Sequence, residues 1–307
     1  MSVVFTEDLW VPVPAWFESR YPVIYDPTLV GDRELLLTRV RDAEALVVRN
    51  RTRVDEDLLQ SAPLLRVVGR LGVGLDNIDV DACRDRNVQI VTARGCNGDA
   101  VAEYVLACML FHSRFLHRVD DDVRAGHWNR LFATGNEIGG KTLGLIGAGD
   151  IARRVARRAL ACGMNVVGFD PYLDGSNNVE FALSDFASVL DQSDYISIHV
   201  PLTNETHHLV GEDEFFRMKD TAVLINTARG GVVDESALYR SLVVHSDRHA
   251  FLDVREQEPP LANDPLFQLA NITLTPHVAG ITRESSHRVA TYVLEEVDKV
   301  LNGLPVT

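Results

Sequence analysis

Residues 142 to 170 read TLGLIGAGDIARRVARRALACGMNVVGFD, and this stretch decides the fold. An apolar run, TLGLIG, enters Gly147-Ala148-Gly149-Asp150-Ile151-Ala152, a G-x-G-x-x-A turn. The chain then takes up helical spacing, with Ile151, Ala152, Val155, Ala156, Ala159 and Leu160 on one face. The first glycine permits a tight strand-to-helix turn, the second lets the backbone approach a pyrophosphate, and the small third residue lets the helix close on the strand. Unpaired N–H groups and the dipole at the helix start favour an anion there. A second apolar run, NVVGFD, ends in Asp170, 23 positions after Gly147, near the ~20-residue offset at which a carboxylate meets an adenosine ribose. Strand, turn, helix, strand and acid in register predict a dinucleotide-binding βαβ unit, with Gly147, Gly149, Asp150, Ile151 and Asp170 on the ligand. A carboxylate accepts from a ribose 2′-OH and repels a 2′-phosphate, and no arginine follows in Asp170-Pro171-Tyr172. NAD is therefore predicted over NADP. Arg153, Arg154, Arg157 and Arg158 occupy the other helix face and read as a solvated surface.

Outward from this unit, short β-rich runs alternate with helix-period segments, the pattern of parallel sheets covered by helices on both faces. Upstream the candidate strands are ALVVRN (45–50), LRVVGRLG (65–72) and VQIVTA (88–93); downstream they are DYISIHV (194–200), AVLINTA (222–228), HAFLDV (249–254) and NITLTPH (271–277). Two βαβ blocks are implied. Between them VAEYVLACMLFHSRF (101–115) is apolar on nearly every side, which predicts a helix buried by more than one neighbour, linking domains and meeting a second subunit. The last helical segment places Val289, Val293, Val297 and Val300 on one face and stops at Gly303.

A chain of 307 residues exceeds one domain of about 150 residues, so two are expected. Its 44 acidic against 30 basic side chains give a net charge of -14, which argues against nucleic acid or an anionic membrane as partner. A small molecule is the expected partner. Cys83, Cys96, Cys108 and Cys162 lie far apart without metal-ligand spacing, so no metal is expected and a reduced, cytoplasmic setting is. The start, MSVVFTEDLWVPVPAWFESR, lacks the basic and apolar regions of a signal peptide, and no run approaches the roughly 20 apolar residues of a spanning helix.

Three later strand ends carry polar groups where doubly wound sheets place their ligands: Arg229 in INTARGGVVDE, Asp253 and Glu258 in LDVREQEPP, and His277 in LTPHVAG. A guanidinium can clamp a 2-oxo acid, a histidine can move the proton that accompanies hydride transfer, and a carboxylate bonded to that histidine holds its tautomer.

VGRLGVGLDNIDV (68–80), the fingerprint, NTARGGVVDESAL (226–238), DVREQEPP (253–260), TPHVAG (275–280) and the NGLPV tail together resemble the D-isomer-specific 2-hydroxyacid dehydrogenase family, in its order and over nearly the whole chain. The resemblance implies two doubly wound parallel-sheet α/β domains, a Rossmann NAD domain (98–282) and a flavodoxin-like substrate-binding domain (1–97 with 283–307), with a cleft between them. It implies a homodimer paired through the NAD domain. Arg229 takes the position of the substrate-binding and catalytic arginine, Glu258 that of the orienting glutamate and His277 that of the acid/base histidine, which also meets cofactor and substrate. Asp253 resembles the aspartate bonded to the nicotinamide carboxamide. His199, Val200, Pro201 and Thr206, with Thr227, Ala228 and Gly280, resemble segments lining the cofactor. Leu71, Gly72, Val73 and Gly74 resemble the loop whose N–H groups receive the substrate carboxylate.

VVRNRTRV (47–54) resembles the segment of the phosphoglycerate dehydrogenases that faces the substrate phosphate, so Arg49 and Arg51 suit a second anionic group. Arg94 adds a cation where that family usually has proline. The expected activity is NAD-dependent interconversion of a 2-hydroxy acid and its 2-oxo acid, with a dianionic substrate of the phosphoglycerate or sulfolactate kind. The rivals are glyoxylate or hydroxypyruvate reduction, formate or phosphite oxidation on the same scaffold, and a non-catalytic, NAD-sensing protein like the corepressors that resemble this family.

Overall fold

The computed structural model describes residues 2–173 and 180–305; Val306 of the NGLPV tail lies outside them. Among the described residues the chain forms two compact units, 1–97 with 281–307 and 98–280. In the first, β1 (Ser2–Phe5), β2 (Val23–Tyr25), β3 (Ala43–Val48), β4 (Val67–Arg70) and β5 (Gln89–Thr92) make a sheet in the order β2-β1-β3-β4-β5. All its pairs are parallel. In the second, β6 (Thr142–Ile146), β7 (Asn165–Phe169), β8 (Ala182–Leu183), β9 (Tyr195–Ile198), β10 (Val223–Asn226), β11 (His249–Leu252) and β12 (Ile272–Leu274) follow the order β12-β11-β10-β9-β6-β7-β8. These pairs too are all parallel. The chain is thus an α/β protein of two doubly wound parallel sheets.

Strands such as AEALVV and VLIN are buried almost throughout, as a parallel sheet with both faces covered requires. β1 (SVVF) and β2 (VIY) were not among the candidate strands; VIY, with 3 residues, is too short to show a period. The valines at 289, 293, 297 and 300 are all buried on the helix Arg283–Leu301, which lies along β3, β4 and β5. Gly303 follows its end in the left-handed region, φ 71°.

Part of the acidic surplus is local chemistry. Asp32, Asp55, Asp79, Asp185 and Asp234 each stand immediately before a helix and accept a backbone N–H from its first turn, an arrangement worth about 1 kcal/mol per cap. The arginine face at 153–158 is not simply solvated. Arg154 and Arg158 donate to Asp99, at 2.6 and 2.9 Å, tying the helix Asp150–Ala161 to the start of the helix Gly98–Arg114. Asp99 lies more than fifty positions upstream, so no local pattern could show the pairing.

Two histidines of the second unit make its stability depend on pH. Burial pushes His199 down to about 4, and burial reinforced by His112 does the same to His249. A folded-state value below the ordinary one of about 6.5 means the unfolded chain binds more protons between those limits, so stability rises with pH across that window and is lost as pH falls through it. We expect the unfolding free energy from urea titration to drop from pH 7 to pH 5, by roughly 2 kcal/mol per histidine at most. His199→Gln, which can keep the bond to Ser197 Oγ (2.9 Å), should flatten that dependence, and an unchanged slope would exonerate His199.

Candidate active site

The sheet of the second unit reverses its winding between β6 and β9, and ligands of such sheets sit at the carboxyl ends of the strands beside that point. β6 runs there into Gly147, whose φ of 93° suits glycine alone, and whose Cβ, if present, would lie 2.7 Å from the His199 carbonyl oxygen. Gly149 precedes the helix Asp150–Ala161, is exposed, and has open space where a Cβ would stand. Asp170, at the end of β7, accepts the N–H of Ala148 at 3.0 Å and that of Tyr172 at 3.0 Å, so the acid also shapes the glycine turn. Ile151 packs on the core and Asp150 pairs with Arg154. The segment after β9 is folded on itself, with Thr206 Oγ1 donating to the Pro201 carbonyl at 2.6 Å; Val200 packs against the core.

After β10, Ala228 N–H donates to Asn226 Oδ1, and Asn226 Nδ2 donates to the Arg229 carbonyl, closing the turn from which the Arg229 guanidinium projects. Arg229 Nη1 donates to the Ala228 carbonyl at 2.6 Å. Thr227 Oγ1 is buried without a hydrogen-bond partner, a cost of about 1–3 kcal/mol that a ligand could relieve. This orphan hydroxyl and the open Gly149 turn fit a dinucleotide.

Asp253, 1% exposed at the end of β11, is the hub of the next loop. Its carboxylate accepts Thr275 Oγ1 (2.6 Å), Val278 N–H (2.8 Å) and Ala279 N–H (2.7 Å), and its carbonyl accepts His277 N–H (2.8 Å). These bonds hold His277 in the left-handed region at φ 58°, strained by about 1–3 kcal/mol in a non-glycine residue. Gly280 lies three residues further on. The imidazole Nδ1 of His277 meets Glu258 Oε2 at 2.9 Å, both side chains about a third exposed. Burial pushes the Glu258 carboxyl up, but the bond and charge of His277, the Arg255 N–H and the Arg229 guanidinium outweigh it and hold it below the usual carboxylate range. The structure therefore brings Arg229, Glu258 and His277 into one electrostatic group. The bond to Glu258 commits Nδ1 of the ring.

In the first unit, the Glu7 carboxylate accepts the N–H groups of Arg49, Arg51 and Thr52. The Arg49 guanidinium lies 3.3 Å from the Trp10 ring centre and donates to the Asp8 and Leu9 carbonyls. Burial and then the neighbouring charge of Arg70 push it down to about 10. The Arg51 side chain is exposed. Arg70, 7% exposed, donates Nε to the Gly74 carbonyl at 2.8 Å, and its Nη1 lies 1.9 Å from where a Cβ of Gly72 would stand. It spans the loop of buried Leu71, Gly72, exposed Val73 and Gly74. Sequence reasoning quoted Arg70 inside VGRLGVG but assigned it nothing; the available signal was an arginine ending an otherwise apolar strand.

The family model for the D-isomer specific 2-hydroxyacid dehydrogenase, NAD binding domain, matches residues 106–279, more than half of the chain. The chain belongs to the D-isomer-specific 2-hydroxyacid dehydrogenase family. Within it, the chain is 46% identical to the (S)-sulfolactate dehydrogenase of Chromohalobacter salexigens, over 98% of both chains. It is 41% identical to the D-3-phosphoglycerate dehydrogenase of Archaeoglobus fulgidus over 89% of its own length, but spans 52% of that longer protein. The D-lactate dehydrogenase of Aquifex aeolicus, solved with NAD and lactic acid, superposes with a TM-score of 0.86 at 30% identity, over 98% of this chain and 96% of that one. This family member is an NAD-dependent oxidoreductase of 2-hydroxy acids. Gly147, Gly149, Asp170 and Thr227 lie within the matched NAD-binding domain, and the dinucleotide, when bound, supplies or accepts the hydride.

Proposed function

We propose that the enzyme interconverts a 2-hydroxy acid bearing a second anionic group, of the sulfolactate or phosphoglycerate kind, with its 2-oxo acid. The observation that carries the substrate class is the placement of Arg49 in the first unit, its guanidinium over Trp10 and near enough to buried Arg70 for that charge to push it down further. Such a pair is stabilised by an anion between its members. The names and identity of the sulfolactate and phosphoglycerate dehydrogenases support the same class. Glyoxylate and hydroxypyruvate, without a second anion, leave the pair unused.

In this reading Arg229 grips the 2-oxo carboxylate and Asp253 keeps His277 poised. During reduction His277 gives its proton to the carbonyl oxygen while Glu258 stabilises the imidazolium; oxidation reverses the transfer. Asp253 accepts three donors from the segment after β12 that carries His277, so its larger effect is on His277, with the carboxamide contact added to that. We further propose a cytoplasmic homodimer. Leu110, Phe111, Leu116, Trp128, Leu131 and Phe132 are exposed within one short stretch of the second unit, an apolar surface suited to a second copy; the four cysteines are free.

The test is a panel of sulfolactate, phosphoglycerate, lactate, glycolate and glycerate followed through NADH absorbance. The dianionic acids should exceed the monoanionic ones in kcat/KM by about 10²-fold, and Arg49→Met with Arg70→Met should erase that margin. Equal rates across the panel would overturn the substrate class, and NADH binding without any turnover would favour the NAD-sensing rival. In the same assay Asp170→Ala should relax the preference for NADH over NADPH.

A further inference from the structure

Arg255 is 7% exposed, an expensive place for a charge; its Nη1 is buried without a hydrogen-bond partner, and Nε and Nη2 carry its pairing. It immediately follows β11 and the Asp253-Val254 step. Its guanidinium grips Glu235 with both ends, Nε to Oε1 at 2.8 Å and Nη2 to Oε2 at 2.7 Å, and reaches Asp264 Oδ2 at 2.6 Å. Glu235 opens the helix Glu235–Val244, and its Oε1 also accepts the N–H of Glu256 at 2.8 Å. Asp264 holds the turn Pro265–Gln268 by accepting the Leu266 N–H. Two separate pieces of chain, the helix start and the turn, are thereby fastened to one side chain.

The backbone of the same residue touches the active-site group on two sides. Its N–H donates to Glu258 Oε1 at 3.1 Å, the oxygen that does not face His277. Its carbonyl presses on Gly230, where a Cβ would lie 1.9 Å from the Arg255 carbonyl carbon and 2.0 Å from its oxygen. Gly230 directly follows Arg229 and begins the turn Gly230–Val232. Only a glycine admits this approach, so the turn carrying the guanidinium and the loop carrying the carboxylate are in backbone contact at Arg255.

We propose that Arg255 is a positioning residue for the proton-transfer pair: clamped by Glu235 and Asp264, it fixes the peptide whose N–H aims Glu258 at His277. This rests on the roles of Glu258 and His277 proposed above. A carboxylate with one oxygen tethered to a rigid backbone presents the other in a single orientation, whereas an untethered Glu258 samples several rotamers and orders the imidazole for only part of the time. The buried triad costs desolvation, which the precision it gives the loop would justify.

The test is a double-mutant cycle of Arg255→Met and Glu258→Gln, reading kcat, the dissociation constant of NADH and the thermal midpoint. Arg255→Met should lower kcat by about 10- to 100-fold while NADH affinity stays within about twofold. In the Glu258→Gln background the same substitution should lower kcat by less than about threefold, because the group it acts through is already impaired. Arg255→Lys, which can still reach one carboxylate, should recover part of the loss. Glu235→Gln weakens the clamp without removing Arg255; a smaller fall in kcat, again absent in the Glu258→Gln background, is expected, and this variant decides the matter if Arg255→Met does not fold. Effects that multiply independently, or a lowered thermal midpoint with kcat per folded enzyme unchanged, would overturn the proposal. If Glu258→Gln alone leaves kcat unchanged, the proposed role of Glu258 fails instead.

Discussion

His277→Ala is expected to lower kcat by about 10²- to 10⁴-fold, the range associated with losing a positioned general acid, while NADH affinity and thermal midpoint change little. The imidazole is bonded to Glu258 through Nδ1 at 2.9 Å, and its backbone is held by Asp253 and Thr275. The chain has therefore oriented the ring with one nitrogen committed and the other left for the substrate. Because the backbone bonds come from the N–H of residue 277 and not from its ring, alanine keeps them and also accepts the loop. Left-handed φ remains strained for alanine, so a small destabilisation of about 1 kcal/mol is anticipated. Single-turnover measurement with preformed NADH complex separates the chemical step from binding. Retention of more than a tenth of wild-type kcat would remove His277 from the proton-transfer role.

Arg229→Lys should lower kcat/KM by about 10²-fold, and Arg229→Ala by up to about 10³-fold, matching the 2–5 kcal/mol lost when a desolvated charge pair is truncated. Lysine retains the charge but not the planar fork that grips a carboxylate at two points, so a large deficit in the lysine variant is the sharper result. Much of the loss should appear in KM, since the carboxylate is bound in the ground state as well as during hydride transfer. A lysine variant with wild-type kcat/KM would show that Arg229 does not bind the substrate.

The dinucleotide unit was legible because its geometry is local. Gly147, Gly149 and Asp170 lie within one strand-helix-strand passage, where turn sterics and residue spacing fully constrain the backbone. Strand runs as apolar as YISI and VLIN were legible for a related reason: burial on both faces leaves no polar alternation to confuse with a surface strand. VIY, 3 residues long, fell below the length at which a period can be read. Arg229, Glu258 and His277 were legible as chemical types at strand ends, whereas their convergence depends on long-range closure: the Glu258 to His277 bond spans 19 positions and passes through the Asp253 hub. The four arginines at 153–158 showed helical spacing but not their partners, since ion pairing with Asp99 follows from how two helices pack.

By itself, then, the amino-acid order determined the α/β class, the coenzyme turn and the inventory of groups able to bind an anion and move a proton, because each depends on steric and chemical rules acting over a few neighbouring residues. Folding in three dimensions decided which of those groups cooperate. It stacked Arg49 on Trp10 beside Arg70, left the Arg51 side chain exposed, and buried Arg255 between two carboxylates next to Gly230. Charges in a poorly solvated interior are governed by whichever distant segments packing brings within a few ångströms, and no spacing along the chain encodes that distance.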